Sequence, residues 1–105
     1  MSGHPNRPAA LLEGLHVVDT SDRLGWLAGR LLADLGAEVI KVEAPAADVE
    51  SSEWCALNVN KQLRRIDLAP GSGSAAQAEL DELLAGADIL IATPAHKAAL
   101  GYPRL

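Results

Sequence analysis

The sequence predicts an α/β chain built on an open, mostly parallel sheet, and three observations carry that prediction. A run of leucines at helical spacing, Leu24 to Leu35, is bracketed by two short apolar runs at 15–19 and 38–43. A second helical pattern ends at Gly86 and leads into Asp88-Ile89-Leu90-Ile91-Ala92-Thr93, which is almost wholly apolar. A strand, a helix and a strand within about thirty residues form a right-handed crossover, which makes the two strands parallel.

The elements follow in order. Residues 1–10 carry Gly3, Pro5 and Pro8 before any pattern begins and read as a flexible N-terminal tail. Leu15-His16-Val17-Val18-Asp19 reads as a short buried strand closed by polar Thr20-Ser21-Asp22. Leu24, Leu27, Ala28, Leu31, Leu32 and Leu35 then share one face of a helix, with Arg23, Arg30 and Asp34 off that face. Thr20 or Ser21 is suited to cap its start, and Gly36 to end it. Glu38 to Glu43 reads as a second strand.

Residues 44–56 are Ala-rich, acidic and contain Pro45, so they read as a loop. Leu63 to Leu68 reads as a third strand, and Arg64 and Arg65 suit an edge position. Pro70-Gly71-Ser72-Gly73-Ser74 is turn chemistry with a cap at its end. Ala76, Leu80, Leu83 and Leu84 give the second amphipathic helix. The 88–93 run reads as a strand buried on both faces, ended by Pro94. His96 to Leu100 has the pattern of one helical turn. The plan is βαβ, a loop, then βαβ, covering 11–93, with 94–105 as a C-terminal segment. It is the arrangement of a Rossmann-like partial domain. Ligands of such sheets sit beyond the carboxyl ends of the strands.

Composition bounds the function. The 105 residues carry 49% hydrophobic and 22% charged side chains, a globular balance, but only 3% aromatics and no Phe. A core of Leu, Val, Ile and Ala in so short a chain is marginal, which implies reliance on a partner. The net charge of −5 argues against nucleic acid, which needs a clustered basic face. The lone Cys55 excludes an internal disulfide and a zinc site built on cysteine pairs, and reads as a small apolar filler. No stretch resembles a signal peptide or reaches the length of a membrane span, so the expectation is a soluble, cytoplasmic chain.

No chemistry is visible from the residues alone. Gly25 and Gly29 do not make up the G-x-G-x-x-G fingerprint, and Glu43 alone supports a NAD-type site only as a weaker alternative. His4, His16 and His96 are scattered, and no carboxylate pair stands out. No metal site is expected.

The stretch from Gly25 to Glu43 (GWLAGRLLADLGAEVIKVE) closely resembles the opening of the family III CoA-transferases. Leu12 to Asp19 is similar to that family's first strand. Leu57-Asn58-Val59-Asn60-Lys61 resembles its Leu-Asn-x-Asn-Lys segment, Ile66-Asp67-Leu68 its Leu-Asp-Leu, and Ala87 to Ile91 its Ala-Asp-Val-Leu-Val. The resemblance runs from Leu11 to Ile91. It implies a CoA-binding N-terminal part of an enzyme that moves CoA between carboxylic acids, with coenzyme A or acyl-CoA as substrate.

The resemblance places the ligand contacts at Leu24, Gly25, Ile66, Asp67, Leu68 and Thr93. It also implies that the family's catalytic aspartate lies beyond this segment, so no catalytic residue is expected here and the isolated chain is expected to be inactive. The remainder of a CoA-transferase fold, or a partner subunit, and an oligomeric state are implied with it. The alternative is a non-catalytic structural half of a fused or heteromeric CoA-transferase. Departures from the family pattern favour weak binding. Gly25-Trp26 stands for a Gly-Pro, Ala44 for an arginine and Ala69 for a lysine.

Overall fold

The structure is a computed structural model and describes residues 11–68 and 73–93. The expected tail at 1–10 and the segment 94–105, with its helical turn, lie outside those residues.

Four strands form one sheet, β1 (His16–Asp19), β2 (Glu38–Glu43), β3 (Gln62–Arg65) and β4 (Ile89–Ile91), in the order β3-β2-β1-β4. Every pairing is parallel, with His16 opposite Glu38, Ile40 opposite Gln62, and Val17 opposite Ile89. Helices α1 (Trp26–Asp34) and α3 (Ser74–Ala85) form the crossovers, as expected. The order places β1 inside the sheet, flanked by the strand that follows it and by the last one. That is the Rossmann-like arrangement.

The two faces of the sheet have separate cores. Val17, Val39, Ala33 and Ala37 form one under α1. Val18, Val42 and Ile66 form the other, with Ala76, Leu83 and Leu84 of α3 packed against it. Alternate residues of β1 and β2 thus serve opposite layers, as the pleat requires. The second amphipathic pattern is borne out: Leu80 is fully buried and Gly86 caps the end of α3.

Several expectations are corrected. Of its leucine face, helix α1 turns only Leu32 to the sheet-side core. Gly29 and Ala33 are its buried residues, whereas Leu24, Leu27, Leu31 and Leu35 are 93%, 51%, 54% and 44% exposed. A helix lying close against a sheet needs small side chains at the contact, and the periodic signal of the leucines masks that. Neither Thr20 nor Ser21 caps α1. Both are buried, and Gly25 occupies the cap position without a side-chain bond. Gly36, at φ +105°, does end it in the left-handed region.

Residues 44–56 are not wholly loop. Ser52–Leu57 forms a short helix, α2, capped by the Ser51 hydroxyl accepting from the Trp54 N–H at 3.1 Å. Cys55 is exposed on α2 rather than filling a core. Gly73, not Ser74, holds the cap position of α3, again without a side-chain bond. Strand β4 is an edge with Ile89 37% exposed, so it is not buried on both faces. Strand β3, the other edge, is exposed throughout, in keeping with its arginines.

Candidate functional site

Most buried polar groups among the described residues gather around the carboxyl end of β1. Asp19 ends β1 and Lys41 lies in β2, and both are 0% exposed. Lys61, just before β3, donates to the Asp19 Oδ2 at 2.8 Å, to the Trp26 carbonyl at 2.9 Å and to the Asn58 Oδ1 at 2.8 Å. Its three protons therefore have three acceptors. Lys41 donates to the Ser21 carbonyl at 2.8 Å and the Val42 carbonyl at 3.0 Å, and pairs with Glu43 at 3.1 Å. Glu43 in turn accepts from the Trp54 Nε1 at 2.7 Å. The second oxygen of Asp19 accepts from both the N–H and the hydroxyl of Ser21.

This network fixes the loop between β1 and α1 at both ends. Lys41 and Asp19 hold it at Ser21, and Lys61 holds it at Trp26. A buried ammonium without partners is costly, so these contacts explain why two lysines are tolerated there. Burial lowers the pKa of Lys61 below the ordinary 10.5, and the hydrogen bond to Asp19 opposes that shift. Gly29 is dictated by the same network: a Cβ on it would overlap the Asp19 carboxylate and lie 2.9 Å from the Lys61 Nζ.

Leu24 and Gly25 sit on that loop. Leu24 projects into solvent and donates its N–H to the Asp22 Oδ1 at 3.1 Å. Gly25 comes so close to Ser21 that a side chain would overlap it. The first turn of α1 carries no side-chain cap bond and no acidic residue.

Thr93 lies two residues beyond β4, beside the same strand ends. There the Thr20 N–H donates to the Ile91 carbonyl at 2.8 Å. The Thr93 hydroxyl and the Trp26 Nε1 are buried and find no hydrogen-bond partner among the described residues. Gly25 and Thr93 therefore share the β1–β4 end, Gly25 lying beside Ile91.

Ile66, Asp67 and Leu68 follow β3, three strand positions from β4 and so about 14 Å away at ordinary strand spacing. Only a long ligand reaches both groups. The Ile66 side chain is core and its N–H donates to the Glu43 carbonyl at 2.9 Å. Leu68 packs against the same core, and Asp67 is exposed. No group of metal-binding side chains is found among the described residues.

Reading the sequence for motifs missed the Asp19–Lys61 and Lys41–Glu43 pairs. A signal was present: a lysine in the middle of the apolar run 38–43, and an aspartate closing a buried strand. Glu43 is occupied by Lys41 and Trp54 and is not free to take a ribose.

An open parallel sheet in the order β3-β2-β1-β4 with helical crossovers defines a Rossmann-like α/β domain. The sequence profile described as CoA-transferase family III matches residues 12–103, and the chain belongs to that family. It is also 54% identical over 44 residues to a probable fatty acyl-CoA transferase of Mycobacterium tuberculosis. The matched stretch is 41% of this chain and 11% of that relative.

Proposed function

We propose that this chain is the CoA-binding N-terminal part of a family III CoA-transferase that acts on acyl-CoA thioesters in the cytoplasm. Fatty acyl-CoA is the substrate class suggested by the named relative. The observation that carries the reading is the uncapped start of α1 on the side of the sheet where the Thr93 hydroxyl is buried with no partner among the described residues. Backbone N–H groups there offer donors to a phosphate, and the helix dipole favours its charge. The Thr93 hydroxyl supplies a further donor. Leu24 offers an apolar surface to the ligand, and the exposed Asp67 and the backbone of Ile66 and Leu68 mark its far end.

No residue of this chain is assigned the acyl-transfer step, which falls to the remainder of a CoA-transferase fold or to a partner subunit. The cations missing at Ala44 and Ala69 leave binding weak. Hydrogen bonds to charged groups are worth about 1.5–3 kcal/mol each, so losing two moves a micromolar site to about millimolar.

Amide NMR during titration with CoA tests this. Saturable shifts confined to residues 24–28, 66–68 and 93, reduced by Thr93→Val, are expected. Silence at these amides at about ten times the expected millimolar constant overturns the reading. The second reading, a structural half that binds no CoA, is favoured by the mutual pairing of the charged groups at the crevice. That silence is the result it predicts.

A further inference from the structure

The charge of Arg65 stands apart from that of the other cations among the described residues. Arg23, Arg30, Lys41, Lys61 and Arg64 each face a carboxylate at 2.6–3.4 Å. Arg65, at the end of β3, has no carboxylate within ion-pair distance among those residues. Its register partner Glu43 is taken by Lys41 and Trp54. The Arg65 Nη1 instead donates to the Ala44, Pro45 and Ala47 carbonyls at 3.0, 3.0 and 3.1 Å. We propose that Arg65 is the residue that selects the ribose 3′-phosphate of coenzyme A. The proposal rests on the CoA reading, in which the start of α1 takes phosphate at the β1 end of the sheet.

Neutral carbonyls hold the guanidinium in place without cancelling its charge, and they take up Nη1 alone. The Nε and Nη2 protons are bonded to no described residue. Together they form the edge of a guanidinium that grips a phosphate through two parallel hydrogen bonds. The side chain is exposed, so a ligand reaches that edge. An arginine fixed in advance also loses less rotamer freedom on binding than a mobile one.

Its place in the sheet separates this group from the start of α1. The clamp draws the guanidinium over the loop that leaves β2, at the carboxyl end of the sheet. The ends of β1 and β3 are two strand positions apart, about 10 Å at ordinary spacing. Coenzyme A carries a diphosphate on the ribose O5′ and a phosphomonoester on O3′, so its nucleotide end spans such a gap with the ribose between. A phosphomonoester bears close to two negative charges at neutral pH and offers three acceptor oxygens. A ligand without it leaves Arg65 to water.

Amide and arginine Nε–H NMR of the full chain, titrated in parallel with CoA and with 3′-dephospho-CoA at low ionic strength, tests the proposal. CoA is expected to bind about 10-fold more tightly, as one charge-assisted contact at an exposed site warrants. It is also expected to move the Arg65 Nε–H, which 3′-dephospho-CoA leaves in place. Arg65→Gln is expected to bind both ligands as the wild type binds 3′-dephospho-CoA. Equal affinities in the wild type, or a preference for CoA that survives Arg65→Gln, overturn the proposal, while shifts at 24–28 keep the CoA reading standing. Silence from both ligands overturns that reading and the proposal with it.

Should Arg65→Gln unfold, which its amide spectrum reports, the wild-type Nε–H decides. Movement with CoA alone supports the proposal. Movement with both ligands, or with neither, overturns it.

Discussion

Lys61 and Asp19 form an ion pair of 2.8 Å in which both side chains are fully buried. They are 42 residues apart in sequence, and the pair ties the start of β3 to the end of β1. Its location beside the loop that leads into α1 couples the fold to the crevice. The loop cannot shift without exposing or orphaning a charge.

Breaking this pair from one side leaves the other charge buried and unpartnered. Lys61→Met is expected to cost about 3–5 kcal/mol, a large part of the ~5–15 kcal/mol available to a small domain. Lys61→Met combined with Asp19→Leu is expected to cost less than the two single changes together. Urea denaturation of the four proteins measures the coupling, and additive losses would count against a buried pair.

The lowered pKa of Lys61 has a signed consequence for stability. Between its folded-state value and 10.5 the unfolded chain binds more protons than the native one. The contribution of Lys61 to stability therefore rises with pH across that window, and it is least favourable below it. Lys61→Met is expected to lack this rise. Denaturation midpoints of both proteins from neutral pH to 10.5 test it, and parallel profiles refute it.

Gly29→Ala inverts the ordinary helix rule. Alanine is about 1 kcal/mol better than glycine in a helix interior, yet here its Cβ meets the Asp19 carboxylate and the Lys61 ammonium. Overpacking of this kind costs about 1–3 kcal/mol. A lower thermal midpoint is expected for Gly29→Ala, and a raised one would show that α1 can move away freely.

Trp54→Phe removes the indole N–H from Glu43 and keeps most of the ring. A hydrogen bond to a charged acceptor is worth about 1.5–3 kcal/mol when buried, and the half-exposed Trp54 sits at the low end. The variant also leaves Trp26 as the remaining tryptophan, so its fluorescence reports the start of α1 alone. A loss of about 1.5 kcal/mol with an unchanged Trp26 emission maximum is expected. A shifted maximum would mean that α2 supports the α1 loop.

The sheet was legible in the sequence because its signals are local. Glu38 to Glu43 reads as a short, largely apolar run between polar ends, and its bounds are those observed. Leu80, Leu83 and Leu84 mark the inner face of α3 in the ordinary way. Helix α1 misled because most of its leucines keep the period of a core face while Gly29 and Ala33, with Leu32 beside them, make the actual contact. Periodicity reports that a helix has an apolar side, not which surface covers it.

The ionic network was illegible for a different reason. Asp19, Lys41 and Lys61 are far apart in the chain, and only the parallel register brings them together. A short helix such as α2 has too few turns to show a period, and its serine cap was hidden among other polar residues.

The position of β4 has a consequence for how the chain matures on the ribosome. Strand β1 sits inside the sheet, yet one of its two neighbours is the last strand, and the Thr20–Ile91 bond spans 71 residues. The β1–β2–β3 portion can pair once residue 65 has emerged, but one side of β1 stays open until residue 91 follows. At about 5–20 residues/s of elongation that interval lasts a few seconds. During it the nascent chain carries an unpaired apolar edge along Val17 and Val18, side chains that later are buried in the two cores. Premature termination between those two points therefore yields a sticky intermediate, not a smaller soluble domain.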